Sequence, residues 1–464
     1  MAILSDWPWH YWAERAPQAA ALVEDDLRWS WRQAAERINQ LAADFERQGV
    51  TSGCGVALRG KNSAAMLWCY LALLQCGARL LPLNPQLPAS LTDALWDSLD
   101  VTYGLCLNAQ SWPSGVVALR YAPGERGGAA YNAPPWRPER LATLTLTSGS
   151  SGAPKAAAHT FAAHLASAEG VLAMMAFAPG DSWLLSLPLF HVSGQGILWR
   201  WLLCGATVVV RAHQPLERAL QGCSHASLVP TQLWRLLTHD AAPAALKSVL
   251  LGGAAIPQEL TREAQARGIN CWCGYGLTEL ASTVCAKRAD GRAGVGLPLR
   301  EREIRLAGEE VLLRGATLAA GYWRDGRLFP LVDEEGWFHT RDRGRFADGE
   351  WHILGRLDNQ FFSGGEGIQP ENIESALLTH PAVRQAYVVP IDDLEFGQRP
   401  VAVVEISGST TLDALRDWLL PQLAGFQRPV AYYHLPAALK NGGIKISRRQ
   451  VKAWVDSESN SQKD

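Results

Sequence analysis

Between residues 53 and 251, short apolar runs alternate with stretches whose apolar residues recur at helical spacing, and that alternation leaves few folds open. Residues 53–58 read as a buried strand, 62–76 as a helix and 77–83 as the next strand. Further apolar runs at 183–187, 206–210, 227–229 and 248–251 each lie beside a helical pattern. Residues 27–50 precede them as a helix ending at Gly49. Strands that alternate with helices imply α/β layers built on parallel strands. The Gly-, Pro- and Arg-rich stretch 113–138 reads as a surface connection. From Glu301 the pattern changes to short strands with tight turns (303–306, 310–313, 350–353), a β-rich subdomain that ends at Gly355-Arg-Leu-Asp358. Beyond it lies a smaller α+β unit: helix 370–378, strands 383–390 and 399–406, helix 412–423 and a strand near 431–435. The tail after Trp454 is polar and reads as frayed. The expected organisation is a large N-terminal domain, 1–357, and a small C-terminal domain, 358–464.

Composition narrows the function classes. Of the 464 residues 48% are hydrophobic and 19% charged, enough for more than one core. A net charge of −2 gives no electrostatic case for nucleic acid or an anionic membrane. Nine cysteines without framework spacing argue for reduced thiols and a cytoplasmic setting. The N-terminus lacks the basic and apolar regions of a signal peptide, and the longest apolar stretch, 66–74, is cut by Gln75 and Arg79, so no membrane insertion is expected. A homo-oligomer stays open, since no stretch identifies an interface. The 19 tryptophans are scattered without a period and read as core and pocket material.

Two lysines in glycine-bearing segments point to chemistry. Thr147-Ser148-Gly149-Ser150-Ser151-Gly152-Ala-Pro-Lys155 follows an alternating Thr-Leu run, so a strand empties into a loop rich in hydroxyls and backbone N–H groups, the surroundings a polyphosphate needs. It is not a Walker loop, because proline precedes the lysine and alanine follows it. Far downstream, Asn441-Gly-Gly-Ile-Lys445 supplies the second lysine. Together they suggest ATP chemistry divided between two domains.

With Leu187-Pro-Leu-Phe-His191, Leu251-Gly-Gly-Ala-Ala-Ile-Pro257, Gly274-Tyr-Gly-Leu-Thr-Glu279, Thr340-Arg-Asp342 and Gly355-Arg-Leu-Asp358, these segments form an ordered set. In that order they resemble the adenylate-forming superfamily of acyl-CoA synthetases, luciferases and nonribosomal adenylation domains. The resemblance runs nearly end to end. It implies activation of a carboxylate as an acyl-adenylate with release of pyrophosphate, then transfer of the acyl group to a thiol, with ATP, Mg²⁺ and coenzyme A as the small-molecule partners.

Each motif then takes a role. The loop at 147–155 holds the β and γ phosphates. Glu279 suits a Mg²⁺ that takes one or two carboxylates plus phosphate oxygens, and Thr278 beside it reaches the α-phosphate. Asp342 is an acceptor for both ribose hydroxyls, with Arg356 as the second contact. Tyr275 offers a face to adenine, while Gly253, Gly274 and Gly276 let backbone approach the ring. Lys445 places a point charge between the substrate carboxylate and the α-phosphate, with Thr278 and His191 near the reacting centre. The resemblance also implies a hinge at Asp358, about which the small domain rotates to withdraw Lys445 and present Gly364 and Gly365 as walls of a thiol channel. The family more often has asparagine where this chain has Gly367.

For the acid, residues 185–197, 199–201, 229–237, 281–287 and 361–370 resemble the branch of the superfamily that activates 2-succinylbenzoate in menaquinone biosynthesis. That acid has two carboxylates, one activated and one a spectator. Arg200, between Trp199 and Trp201, is the expected partner of the spectator, with Ser193, Gln195, Ser282, Thr283 and His191 lining the pocket. An acyl-CoA synthetase or carrier-loading adenylation domain for another aryl or aliphatic acid, and a non-catalytic nucleotide-binding scaffold, are the competing readings.

Overall fold

The computed structural model of the chain describes residues 4–87, 95–108, 111–122, 131–147, 155–211, 214–238, 242–254, 256–440 and 446–461. Two large sheets dominate the N-terminal part. In the nine-stranded sheet, Thr207–Val210, Ser182–Leu184, His225–Leu228, Ser248–Leu251 and Asn270–Leu277 lie side by side and run parallel, and Ser282–Arg288 returns antiparallel. In the eight-stranded sheet, Leu141–Thr147 lies parallel to Arg79–Leu83 and is followed by its antiparallel partner Lys155–Thr160, in a register that sets Thr147 opposite Lys155. The expected α/β layering is what the chain forms.

One apolar cluster joins both sheets. It contains Val56, Leu58 and Leu80 from one, Leu22, Trp183 and Val208 from the other, and residues of helices Trp31–Arg47, Ala64–Gln75, Phe161–Met174 and Val192–Cys204. The helices are therefore sandwiched between the sheets. This explains why Ala64–Gln75 and Val192–Cys204 are apolar all round: nearly every residue is buried. Trp7, Trp9, Trp31, Trp183, Trp199 and Trp201 are among the largest fully buried side chains, so these tryptophans are core.

Several local expectations need correction. Residues 27–30 are a strand, and the helix begins at Trp31, where Ser30 and Gln33 form a reciprocal capping box. The β-rich subdomain has four antiparallel strands, Arg302–Ala307, Glu310–Gly315, Phe338–Ala347 and Glu350–Arg356. Asp342 thus lies within a strand, just after Arg341 at φ 61°. The hairpin Gly321–Arg324 and Arg327–Phe329 leaves that subdomain and pairs with Lys155–Thr160 of the eight-stranded sheet. The tail after Trp454 does not fray at once: helix Arg448–Ser461 carries it, with Val451 and Val455 buried.

Beyond the short helical turn Leu357–Asn359, two apolar clusters fill the C-terminal part, one around Ile373, Val388, Val404 and Leu415, the other around Val389, Val403, Val451 and Val455. Among the described residues neither contains a side chain from before residue 358, and no earlier cluster contains one from after it. Contacts across the join include Arg343 Nη1 donating to Gln369 Oε1 at 3.0 Å and Arg384 lying 4.3 Å from the Trp234 ring. No described helix is long and apolar enough to cross a membrane.

Candidate active site

The parallel strands end on one side, and their C-terminal ends carry the candidate residues. Leu187–His191 follows Ser182–Leu184, Ser227 sits near the end of His225–Leu228, Gly252 and Gly253 follow Ser248–Leu251, and Gly274–Leu277 closes the last strand. Crevices beyond such ends are where open α/β sheets bind ligands. Glycine is required at two of these positions. Gly253 has φ 81°, and a Cβ on Gly276 would fall 1.9 Å from the Ser282 carbonyl oxygen.

The residues expected to meet the nucleotide gather around Asp342. Its Oδ2 accepts from the Tyr275 hydroxyl at 2.5 Å and its Oδ1 pairs with Arg356 at 3.2 Å. A carboxylate only accepts, so these bonds fix its orientation, and the group suits hydroxyl donors such as those of a ribose. Burial, then the neighbouring Asp342 charge, pushes the Tyr275 phenol well above its ordinary value, so it stays a donor. Its ring packs against the cluster of Leu280, Val284 and Phe338. Arg356 also reaches Asp358 at 3.1 Å, and Arg341 binds the same carboxylate at 3.2 Å. The expected ribose contacts and the expected hinge thus form one charged chain.

The residues expected to meet the phosphates form a second group. Glu279 follows Thr278 in a short 3₁₀ turn, Thr278–Leu280. Its Oε1 accepts from the Tyr322 hydroxyl at 2.8 Å, while Oε2 has no hydrogen bond among the described residues. Lys155 is exposed with its ammonium 5.1 Å from the Tyr322 ring. Tyr322 was not legible as a site residue, since it comes from the hairpin added to the strand of Lys155. Thr147 and Lys155 frame the loop entrance; Ser148, Gly149, Ser150, Ser151 and Gly152 lie outside the described residues. No group of three or more His, Cys, Asp or Glu side chains capable of holding a metal occurs among the described residues. A lone carboxylate with a free oxygen fits Mg²⁺, which draws its other ligands from phosphate and water.

Of the residues expected to bind the acid, Arg200 is 1% exposed and has no carboxylate partner among the described residues. Its Nη1 donates to the Ser227 hydroxyl at 3.3 Å, the guanidinium lies 5.0 Å from the Trp183 ring, and Nε has no partner. Burial, then the nearby Arg302 charge, lowers it to about 9, still cationic at neutral pH. Gly196, one turn earlier, makes room: a Cβ there would meet Arg200 Nη2 at 2.9 Å and Ser282 Oγ at 3.4 Å. Ser282 and Thr283 are buried nearby. Ser193 and His191 are half-buried at the start of the Arg200 helix. Gln195 departs from expectation: its amide donates to Thr145 Oγ1 and the Leu189 carbonyl, and its oxygen accepts from Thr143 and Thr145 at 3.3–3.4 Å. It is held internally and shapes the wall rather than presenting a free group.

In the C-terminal part, Gly364 and Gly365 have φ 58° and 85° and form the tip of the hairpin Phe361–Ser363/Glu366–Ile368, with exposed Phe362 alongside. A Cβ on Gly367 would meet Gln360 Nε2 at 2.8 Å, so the Gln360 amide occupies the space beside that glycine. Lys445 lies outside the described residues, between Lys440, paired with Glu405 at 2.7 Å, and Arg448, paired with Glu371 at 3.1 Å and with Glu374. Burial pushes Cys271 and Cys273 up to about 12 and about 11, as inert core thiols require.

The profile of AMP-binding enzymes matches residues 9–323, and that of their C-terminal domain matches residues 372–445. The chain belongs to the AMP-binding enzyme family. Within it, the chain is 58% identical to the 2-succinylbenzoate–CoA ligase of Salmonella typhimurium over 451 residues, covering 97% of this chain and 98% of the relative. It is 54% identical to the Escherichia coli ligase of the same name over 98% of this chain and 99% of that one. Among solved structures, an arginine-to-lysine variant of Escherichia coli MenE with bound OSB-AMS superposes with a TM-score of 0.93 at 52% identity, covering 98% of this chain and 99% of that one. The o-succinylbenzoate coenzyme A synthetase of Bacillus subtilis in complex with the acyl-adenylate intermediate OSB-AMP gives 0.84 at 25% identity, covering 96% and 98%.

Proposed function

We propose that this chain converts 2-succinylbenzoate to 2-succinylbenzoyl-CoA through an acyl-adenylate, the step that feeds menaquinone biosynthesis, and that it works in the cytoplasm, where its nine cysteines stay reduced. The observation that carries the substrate is Arg200. A sealed guanidinium with no acid partner among the described residues demands an anion, and an acid with a spectator carboxylate supplies one. The named relatives, matched nearly end to end, support the same choice.

In the first half-reaction a succinyl carboxylate oxygen attacks the α-phosphorus of ATP, and the bond from that phosphorus to pyrophosphate breaks. Lys445 neutralises the two approaching anions and Thr278 contacts the α-phosphate; Asp342 and Arg356 orient the ribose, and Thr147 to Lys155 hold the leaving phosphates. Glu279 would hold the Mg²⁺, which supplies charge neutralisation on the phosphates. In the second half-reaction the CoA sulfur attacks the acyl carbon, the carbon–oxygen bond to AMP breaks, and the thiol proton is lost to solvent. Residues 1–357 then serve as the adenylating domain and 358–464 as the mobile one, with Asp358 at the pivot and Gly364 and Gly365 beside the pantetheine path.

The test is pyrophosphate release from the purified protein with ATP and Mg²⁺ over a panel: 2-succinylbenzoate, 4-phenyl-4-oxobutanoate, benzoate, acetate and a fatty acid, each with and without CoA. Strong preference for 2-succinylbenzoate is expected. Preference for another acid would reject the substrate while keeping the chemistry, and silence throughout would reject both.

A further inference from the structure

His159 belongs to none of the expected machinery, yet it touches the turn that carries two of its members. It sits four residues after Lys155 on strand Lys155–Thr160, is 0% exposed, and places Nε2 2.8 Å from the Thr278 carbonyl oxygen. A carbonyl only accepts, so Nε2 carries the hydrogen, and burial lowers the ring to about 4, which keeps it neutral at physiological pH. The ring has little freedom to leave. It lies 5.0 Å from His164, which stacks on Trp199 at 5.1 Å and 12° and bonds Thr143 through Nε2 at 2.8 Å.

The turn it grips is strained. Ala281 has φ 50° and Ser282 φ 108°, and neither is glycine. Such conformations persist only where the surroundings over-determine them. Here three carbonyls of one short segment are held from outside it. Thr278 is held by His159, Glu279 by the Ala319 N–H at 2.8 Å, and Ala281 by the Ser167 hydroxyl at 2.6 Å. Without His159, the Thr278 carbonyl keeps, among the described residues, only the local Ala281 N–H at 3.1 Å, which moves with the turn.

We propose that His159 is a positioning residue for adenylation: its Nε2–H pins the Thr278 carbonyl so that the Thr278 hydroxyl and the Glu279 carboxylate meet the phosphates and their magnesium in register. The contact also ties those two residues to the strand that bears Lys155, so both sides of the phosphate site move together. The inference rests on the reading of Thr278 and Glu279 given above.

The experiment compares His159→Leu, which removes the donor, with His159→Gln, whose amide nitrogen reaches about as far as Nε2. Pyrophosphate release is measured against Mg·ATP, and thioester formation from supplied acyl-adenylate and CoA is measured separately, both per folded protein. For His159→Leu, kcat/KM for Mg·ATP should fall about tenfold to a hundredfold, the range set by misplacing a catalytic group by up to about an ångström. Thioester formation should change far less, and His159→Gln should regain most of the loss. If His159→Leu does not fold, His159→Asn replaces it, because its shorter amide keeps polarity without reaching the carbonyl. Equal loss in both half-reactions, or a glutamine no better than leucine or asparagine, overturns the proposal. Glu279→Gln serves as the control: it should raise the Mg²⁺ requirement, and an unchanged requirement rejects the underlying site reading instead.

Discussion

A guanidinium sealed from water without a carboxylate beside it is costly, and among the described residues Arg200 has the Ser227 hydroxyl and the Trp183 ring as partners and no acid. Two opposite effects of substitution follow. Arg200→Met, similar in length and apolar, should leave the free protein as stable or stabilise it by about 1–4 kcal/mol, read from denaturant unfolding. The same change should weaken 2-succinylbenzoate by about 2–5 kcal/mol, tens- to thousands-fold in KM, while 4-phenyl-4-oxobutanoate, which lacks the aromatic carboxylate, is affected little. Equal penalties on both acids would reject the counter-ion role. Lys445 belongs to this scale as well. Lys445→Ala should cut pyrophosphate release on the order of 10²–10³-fold while still turning supplied acyl-adenylate and CoA into thioester. At this scale the sequence was legible where a charged or glycine residue broke an apolar run, as at Arg200, and silent where the partner came from afar, as with Ser227 and Tyr322. Gln195 looked like a pocket group because nothing local reveals the Thr143 and Thr145 hydroxyls that occupy it.

Elements formed by local patterning were readable, and those decided by distant pairing were not. Gly55–Arg59, Ala64–Gln75, Ser248–Leu251 and Pro370–Leu378 lie where periodicity places them. The hairpin 321–329 reads locally as more of the β-rich subdomain, but Tyr322 pairs with Ala157 and so extends a different sheet. Strand Phe338–Ala347 was hidden by its arginines and aspartate, although its burial alternates through the first residues. The turn Leu357–Asn359 matters most for mechanism. Asp358 is held by Arg356 and Arg341, and Asn359 donates to Glu371, which also receives Arg448 three residues after Lys445. The proposed pivot is therefore linked to the proposed ribose contacts, through Arg356, on one side and to the flank of the lysine segment on the other. Asp358→Pro fixes φ at the pivot and removes both ion pairs. It should leave pyrophosphate release near its normal rate and slow thioester formation from supplied adenylate; if both slow alike, the pivot lies elsewhere.

At the scale of the whole molecule, the separation of apolar clusters at residue 358 has a thermodynamic consequence. Cooperative unfolding follows shared core, and the described cores on the two sides share no side chain. Polar and cation–π contacts such as Arg343 to Gln369 and Arg384 to Trp234 are too weak to fuse two domains into one unit. Calorimetry should accordingly show two transitions, the smaller matching that of an isolated 358–464 fragment. On the proposed site reading, a non-hydrolysable analogue of the acyl-adenylate would draw most of its contacts from the N-terminal residues Asp342, Arg356, Gly253 and Arg200. It should raise the larger transition, by about 4 kcal/mol when present at a thousand times its Kd. Arg200→Met should shrink that rise, since the spectator carboxylate then has no partner. The smaller transition should move little unless Lys445 engages the analogue, and comparing Lys445→Ala with the unaltered protein isolates that share. A single transition unaffected by cutting the chain before Asp358 would mean that the two parts fold as one, and that their rearrangement between half-reactions costs far more than a hinge.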